Sequence, residues 1–93
     1  MRIGVPKEIK THEYRVGLTP FAVREYVAHG HEVMIERGAG TGIGAADAEY
    51  QRAGARIVET AVEIFATAEM IVKVKEPQAA EWAQLREGQI LFT

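Results

Sequence analysis

Two cations stand where they could grip a small acid. Arg15 lies within GVPKEIKTHEYRVGLTP, residues 4–20, and Lys75 closes the apolar run EMIVKVK, residues 69–75. A guanidinium offers a planar fork of donors that matches two carboxylate oxygens, with charge-assisted bonds worth roughly 1.5–3 kcal/mol. An ammonium hydrogen-bonded to the adjacent carbonyl oxygen would polarise that C=O for attack. Together the pair describes a site for a small 2-oxo acid. Each cation also has a plainer reading. Glu8 and Glu13 flank Arg15, and an internal ion pair with either is the commoner fate of such an arginine. Lys75 on its own would be a solvated charge at a strand end.

The elements that must position these residues follow from apolar spacing and caps. Ile3 to Val5 reads as a short strand, and the charged connection after it is longer than the roughly 2–6 residues usual before a helix; loops of that length tend to carry function. Tyr14, Val16 and Leu18 alternate around Arg15 and Gly17, so this half of the loop is expected to be packed and extended, with Arg15 held. Thr19 as N-cap and Pro20 at the first helical position open a helix. Its apolar side is Phe21, Val23, Val27 and Ala28, and Gly30 ends it. His31 to Glu36 is a second strand, which completes a right-handed βαβ unit.

RGAGTGIGAAD, residues 37–47, is the most glycine-dense stretch. Gly40, Gly42 and Ala45 fit the spacing G-x-G-x-x-A, and Glu59 lies at about the right distance for a ribose-binding acid. The first βαβ unit is already closed here, however, and the next helix begins later, at Asp47. A turn and loop is therefore the preferred reading over a dinucleotide fingerprint. Asp47 is expected to cap a helix ended by Gly54, and Ala55–Val58 to form a strand. Thr60 should cap a helix burying Val62, Ile64 and Phe65. Glu69–Lys75 is the most strand-like run. Pro77 should open a helix with Ala80, Trp82 or Ala83 and Leu85 inward, and Ile90–Phe92 a further strand. Strands alternating with helices give an α/β class: a mostly parallel sheet with flanking helices, a Rossmann- or flavodoxin-like partial domain. Ligands of such sheets bind outside the carboxyl ends of the strands. The Arg15 loop and the Lys75 segment both follow strand ends.

Ninety-three residues suffice for one small domain, which buries only about 60–65% of the unfolded surface. A net charge of −2 and a pI near 5.9 leave no basic footprint for nucleic acid or an acidic membrane. The absence of cysteine excludes disulfides and thiolate metal sites. No signal-peptide core and no apolar run of about 18 residues is present, so the chain is expected to be cytoplasmic. His12, His29 and His31 are split between a loop and a helix end, and no metal site is expected from them.

GVPKEIKTHEYRVGLTPFAVREYVAHGHEV, with ERGAG, AGA, VKVKEP and LREGQILFT, resembles the N-terminus of NAD-dependent alanine dehydrogenases over essentially the whole chain. The resemblance implies that residues 1–93 are the N-terminal part of a substrate (catalytic) domain, the nucleotide-binding domain being absent. With that domain the family interconverts L-alanine and pyruvate plus ammonia. Arg15 matches its carboxylate-binding arginine and Lys75 its carbonyl-binding, catalytic lysine; no cofactor-binding or metal-binding residue is carried over. NAD is implied for the full-length family and none for this chain alone. The family's catalytic His and Asp belong to segments beyond LFT, so the isolated chain is expected to be inactive. His12, Gly17, Ala22 and Tyr26 depart from the usual Asn, Ala, Gly and aliphatic residues, which suggests an unusual or reconstructed member.

The NAD-binding component of proton-translocating nicotinamide nucleotide transhydrogenase is the nearest alternative. Its pattern keeps the first lysine of VKVKEP but not the second and has Val-Ser after the last strand, so Lys75, Phe92 and Thr93 favour the dehydrogenase. A non-enzymatic α/β half-domain is the other alternative. A sheet lacking covering helices is expected to self-associate, as a dimer or swapped assembly, and a stand-alone anion-binding module is a third possibility. The expected partner is a small molecule, pyruvate or L-alanine.

Overall fold

The computed structural model describes residues 1–93. Five strands, β1 (Arg2–Val5), β2 (Glu32–Glu36), β3 (Arg56–Val58), β4 (Met70–Val72) and β5 (Ile90–Phe92), alternate with helices α1 (Pro20–Ala28), α2 (Asp47–Arg52), α3 (Ala61–Thr67) and α4 (Ala79–Trp82). The strands form one sheet in the order β3-β2-β1-β4-β5, and every pair is parallel. This is the doubly wound Rossmann order, not the flavodoxin one, and its topological switch point falls between β1 and β4.

Central parallel strands are covered on both faces and so read as unbroken apolar runs. Alternate side chains divide them between two cores. Ile3, Val5, Val33 and Ile35 join Val23, Val16, Leu18 and Tyr50 under α1 and α2. Met34 and Ile71 join Ile64, Phe65 and Ala68 under α3. Fully burying one such aliphatic side chain contributes about 1.5–3 kcal/mol. α3 comes close enough to β1 that a Cβ at Gly4 would stand 2.7 Å from Ile64 Cγ2 and 2.8 Å from Ala68 Cβ. Only glycine lets that helix settle onto the sheet.

The caps expected at Thr19 and Thr60 are present; their hydroxyls accept from the Ala22 and Glu63 N–H groups. Gly30 and Gly54 take positive φ, +87° and +105°, at the turns after α1 and α2. Several expectations need correction. Phe21, Val62 and Trp82 are 70%, 64% and 65% exposed, because α1 and α3 each press only a narrow stripe onto the sheet and Glu81 is the one buried residue of α4. The Trp82 indole instead donates to the Pro77 carbonyl at 2.8 Å. Tyr14 is likewise exposed, whereas Val16 and Leu18 are buried. Asp47 is not the cap of α2; Ala46 holds that position, and Glu49 Oε1 accepts the Ala46 N–H. β4 is shorter than Glu69–Lys75 because the chain turns at Val74 and Lys75. α4 starts at Ala79, two residues after Pro77.

Candidate functional site

The loop from β1 to α1 and the turn leaving β4 meet at the carboxyl end of the sheet, on the two strands that flank the switch point. Glu8 makes the join. Its Oε1 accepts from Lys73 Nζ at 3.2 Å and from the Lys75 N–H at 3.3 Å, and its Oε2 accepts from the Val74 N–H at 3.0 Å. Lys10 reaches Glu76 Oε1 at 2.6 Å as a second tie. The backbone at Gly17 lies so near Val72 that a Cβ there would stand 2.5 Å from the Val72 carbonyl oxygen. At the far end of the loop the buried Tyr50 hydroxyl donates to the Leu18 carbonyl at 2.7 Å, and burial pushes that phenol up to about 12.

Arg15 therefore sits on a pinned segment. Its Nε and Nη2 donate to Glu13 Oε2 and Oε1 at 3.0 and 2.8 Å, and its backbone N–H donates to the same Oε2 at 2.8 Å. Of the two glutamates that could have paired with it, Glu13 does so. The Glu13 side chain is 6% exposed and the Arg15 side chain 65%: the carboxylate is the anchored partner and the guanidinium faces outward. The Arg15 side-chain hydrogen bonds, then its backbone N–H, hold the Glu13 carboxyl down to about 2, and the Lys75 charge acts in the same direction. Both cations named from the sequence thus favour the ionised form of Glu13. Glu13 in turn holds the Arg15 guanidinium above its ordinary value.

Beneath them lies a group that sequence reasoning missed. The Lys73 ammonium, its side chain 1% exposed, faces Glu8 Oε1 and Glu81 Oε2, each at 3.2 Å. Glu81 Oε1 accepts the Gln78 N–H at 2.8 Å, whereas Oε2 accepts no hydrogen bond, the ammonium lying off the bonding direction. Two carboxylates and one ammonium leave a formal charge of −1 in an almost dry pocket. The available signal was the strand period: Ile71 points toward α3, so Lys73, two residues on, begins on the same inward face.

A cleft of about 280 Å³ opens between the Arg15 loop and the glycine-rich turn after β2. Lys7, Glu8, Glu13, Tyr14 and Arg15 form one wall and Gly38, Ala39, Thr41 and Gly42 the other. Lys75 is not part of this lining. The glycines of the turn serve close backbone packing: a Cβ at Gly40 would stand 2.6 Å from both the Ala45 carbonyl oxygen and Tyr50 Cε2, and one at Gly42 would run into the Tyr14 carbonyl. Asp47 Oδ1 accepts the Gly38 N–H at 2.9 Å. Glu59 is engaged by Arg37 at 2.6 and 2.8 Å. Gly40 and Gly42 are filled by the chain's own atoms, so this turn does not fit a dinucleotide pyrophosphate. It buttresses the Arg15 loop.

No helix is long and apolar enough to cross a membrane. Residues 4–93 match the family model described as alanine dehydrogenase/PNT, N-terminal domain. The chain is 58% identical over 93 residues to an alanine dehydrogenase of Methanococcus maripaludis and 52% to one of Mycobacterium tuberculosis. Those matches cover all of this chain and 25% of each relative, so it spans about a quarter of their length. A solved L-alanine dehydrogenase superposes with a TM-score of 0.95 at 52% identity, covering 98% of this chain and 25% of that one. A transhydrogenase from Sinorhizobium meliloti gives 0.90 at 34%, covering 98% and 27%. With its whole length from Gly4 onward accounted for in sequence and its five-stranded parallel sheet reproduced in space, the chain belongs to the alanine dehydrogenase/PNT N-terminal domain family.

Proposed function

We propose that residues 1–93 are the N-terminal part of the substrate domain of an NAD-dependent alanine dehydrogenase. In this reading they bind pyruvate or L-alanine for the reversible oxidative deamination of L-alanine to pyruvate and ammonia. The observation that carries the reading is the convergence of the Arg15 loop and the Lys75 turn on Glu8 at the switch point of the sheet. Arg15 takes the substrate carboxylate. Lys75 donates to the carbonyl oxygen of pyruvate and stabilises the negative charge that develops there as ammonia adds to the carbon. Glu8 fixes the backbone from which Lys75 projects, and Tyr50 and the glycine turn keep the Arg15 loop in place. NAD supplies the hydride acceptor in the full-length family and is assigned no residue here.

The identity of 52–58% to alanine dehydrogenases against 34% to a transhydrogenase supports the dehydrogenase over its alternative. The reading carries a cytoplasmic location with it. The strand β5 favours self-association of the isolated chain as a dimer or swapped assembly: Ile90, Leu91 and Phe92 are 48%, 39% and 64% exposed on the outermost strand. Sedimentation of a monomer at high concentration would remove that part. Calorimetric titration with pyruvate tests the site. Binding that disappears in Arg15→Ala supports it, and undiminished binding in that variant contradicts it. Turnover of pyruvate, ammonia and NADH by the pure chain would overturn the expectation that it binds substrate without catalysis.

A further inference from the structure

Glu13 holds Arg15 by one edge only. A guanidinium carries five N–H donors, and Glu13 engages the Nε–H and one Nη2–H. Both Nη1 donors and the second Nη2 donor remain, and they lie at the outward end of a side chain that is 65% exposed. The end-on pair, Nη1–H and Nη2–H, is itself a fork matched to a carboxylate. Glu13 is suited to be the fixed partner. Its side chain is 6% exposed, it also accepts the Arg15 backbone N–H, and its carboxylate stays ionised down to about 2.

We propose that Glu13 is the positioning residue of this site, clamping Arg15 along its Nε–Nη2 edge so that an incoming small carboxylate docks end-on across Nη1 and Nη2. The inference rests on Arg15 being the carboxylate receptor and adds the direction from which the carboxylate arrives. An exposed arginine without the clamp would have to be ordered by the ligand, and immobilising one flexible side chain lowers affinity by about two- to twelvefold. Repulsion between Glu13 and the ligand carboxylate across the guanidinium works the other way. At about 6.5 Å it amounts to about threefold in bulk water and about 75-fold at the effective dielectric of about 20 usual near a protein surface, and salt reduces it. The clamp therefore sets which edge of the guanidinium the carboxylate meets, not the net affinity.

The decisive experiment follows the arginine side-chain signals of the ¹⁵N-labelled chain by NMR during titration with pyruvate. In the wild type, pyruvate shifts the Arg15 Nη signals and leaves Nε–H in place. In Glu13→Gln, Nε–H responds as well, because the freed guanidinium can present either edge. A wild-type Nε–H that moves together with Nη as pyruvate saturates would mean that the ligand displaces Glu13, and it would overturn the inference without any variant. Identical side-chain responses in the wild type and a folded Glu13→Gln would do the same. Arg15→Ala separates the two levels: lost binding alongside a moving Nε–H removes only the role of Glu13, whereas retained binding, or no pyruvate binding by the wild type, removes the receptor reading and this inference with it.

Discussion

Replacing Lys73 by Met should be among the most damaging single changes in this chain. Methionine keeps the length of the side chain and removes the ammonium that Glu8 and Glu81 face at 3.2 Å, leaving two carboxylates that are 2% and 3% exposed without a countercharge. Removing one partner of a buried pair costs about 3–5 kcal/mol, most of it the penalty of the stranded charge. Domains of this size have a total stability of roughly 5–14 kcal/mol, so about a fifth or more of it disappears. Glu81→Gln should cost less. It keeps an oxygen for the Gln78 N–H and removes one negative charge, but it turns an amide N–H toward the ammonium. Glu8→Gln should lose about 1.5–3 kcal/mol, since Glu8 accepts three hydrogen bonds, one from the ammonium. Urea unfolding followed by circular dichroism measures all three. A Lys73→Met loss below about 1 kcal/mol would mean that this pocket is wet in solution and would refute the reasoning. The functional corollary is local: Glu8 fixes the Val74 and Lys75 amides, so hydrogen exchange at those two positions should quicken in Lys73→Met before the sheet itself loosens.

Acid should weaken the fold through four paired carboxylates. Glu13 and Glu76 are held down to about 2 by Arg15 and Lys10, and Glu59 and Glu69 are lowered by Arg37 and by the Arg2 N–H. A folded-state value below the ordinary 4.5 means that the stabilisation is present above 4.5 and is lost as pH falls from there through about 2. Urea midpoints should accordingly drop between pH 5 and pH 3, and constant midpoints over that range would contradict these pairings. Gly4→Ala should cost about 1–3 kcal/mol through overpacking against Ile64 and Ala68, lowering the melting temperature by roughly 4–8 °C per kcal/mol. His12, at φ 65°, occupies the left-handed region that asparagine tolerates better. His12→Asn should therefore hold or raise the melting temperature, and a marked fall would show that the 3.2 Å contact of the imidazole with the Tyr14 hydroxyl matters more than the backbone.

The alternation of strands and helices was legible because local chemistry marked its boundaries. Thr19, Thr60, Gly30 and Gly54 each do at an element end what their side chains, or the lack of one, favour. Arg15 could be placed in a held loop, and its pairing with a neighbouring glutamate could be foreseen, because both depend on residues close in sequence. Lys73, Glu8 and Glu81 could not be joined in the same way. A lysine near a strand end is ordinarily solvated, and its first partner lies 65 residues away. Phe21, Val62 and Trp82 misled because helical spacing identifies a face without saying how wide a stripe the sheet will cover. The glycine turn could be separated from a phosphate loop by topology, but what its glycines touch became visible only when the Tyr14 carbonyl lay against Gly42.

The meeting of the Arg15 loop and the Lys75 turn over one end of the sheet is most directly tested by mapping backbone amide shifts during a pyruvate titration of the intact chain. Signals of Arg15, Val74 and Lys75 are expected to move together with a single apparent Kd, those of Glu25 and His29 at the opposite end of α1 staying still. Movement at Arg15 without any at Val74 or Lys75, or with a different Kd at each, would contradict a shared site.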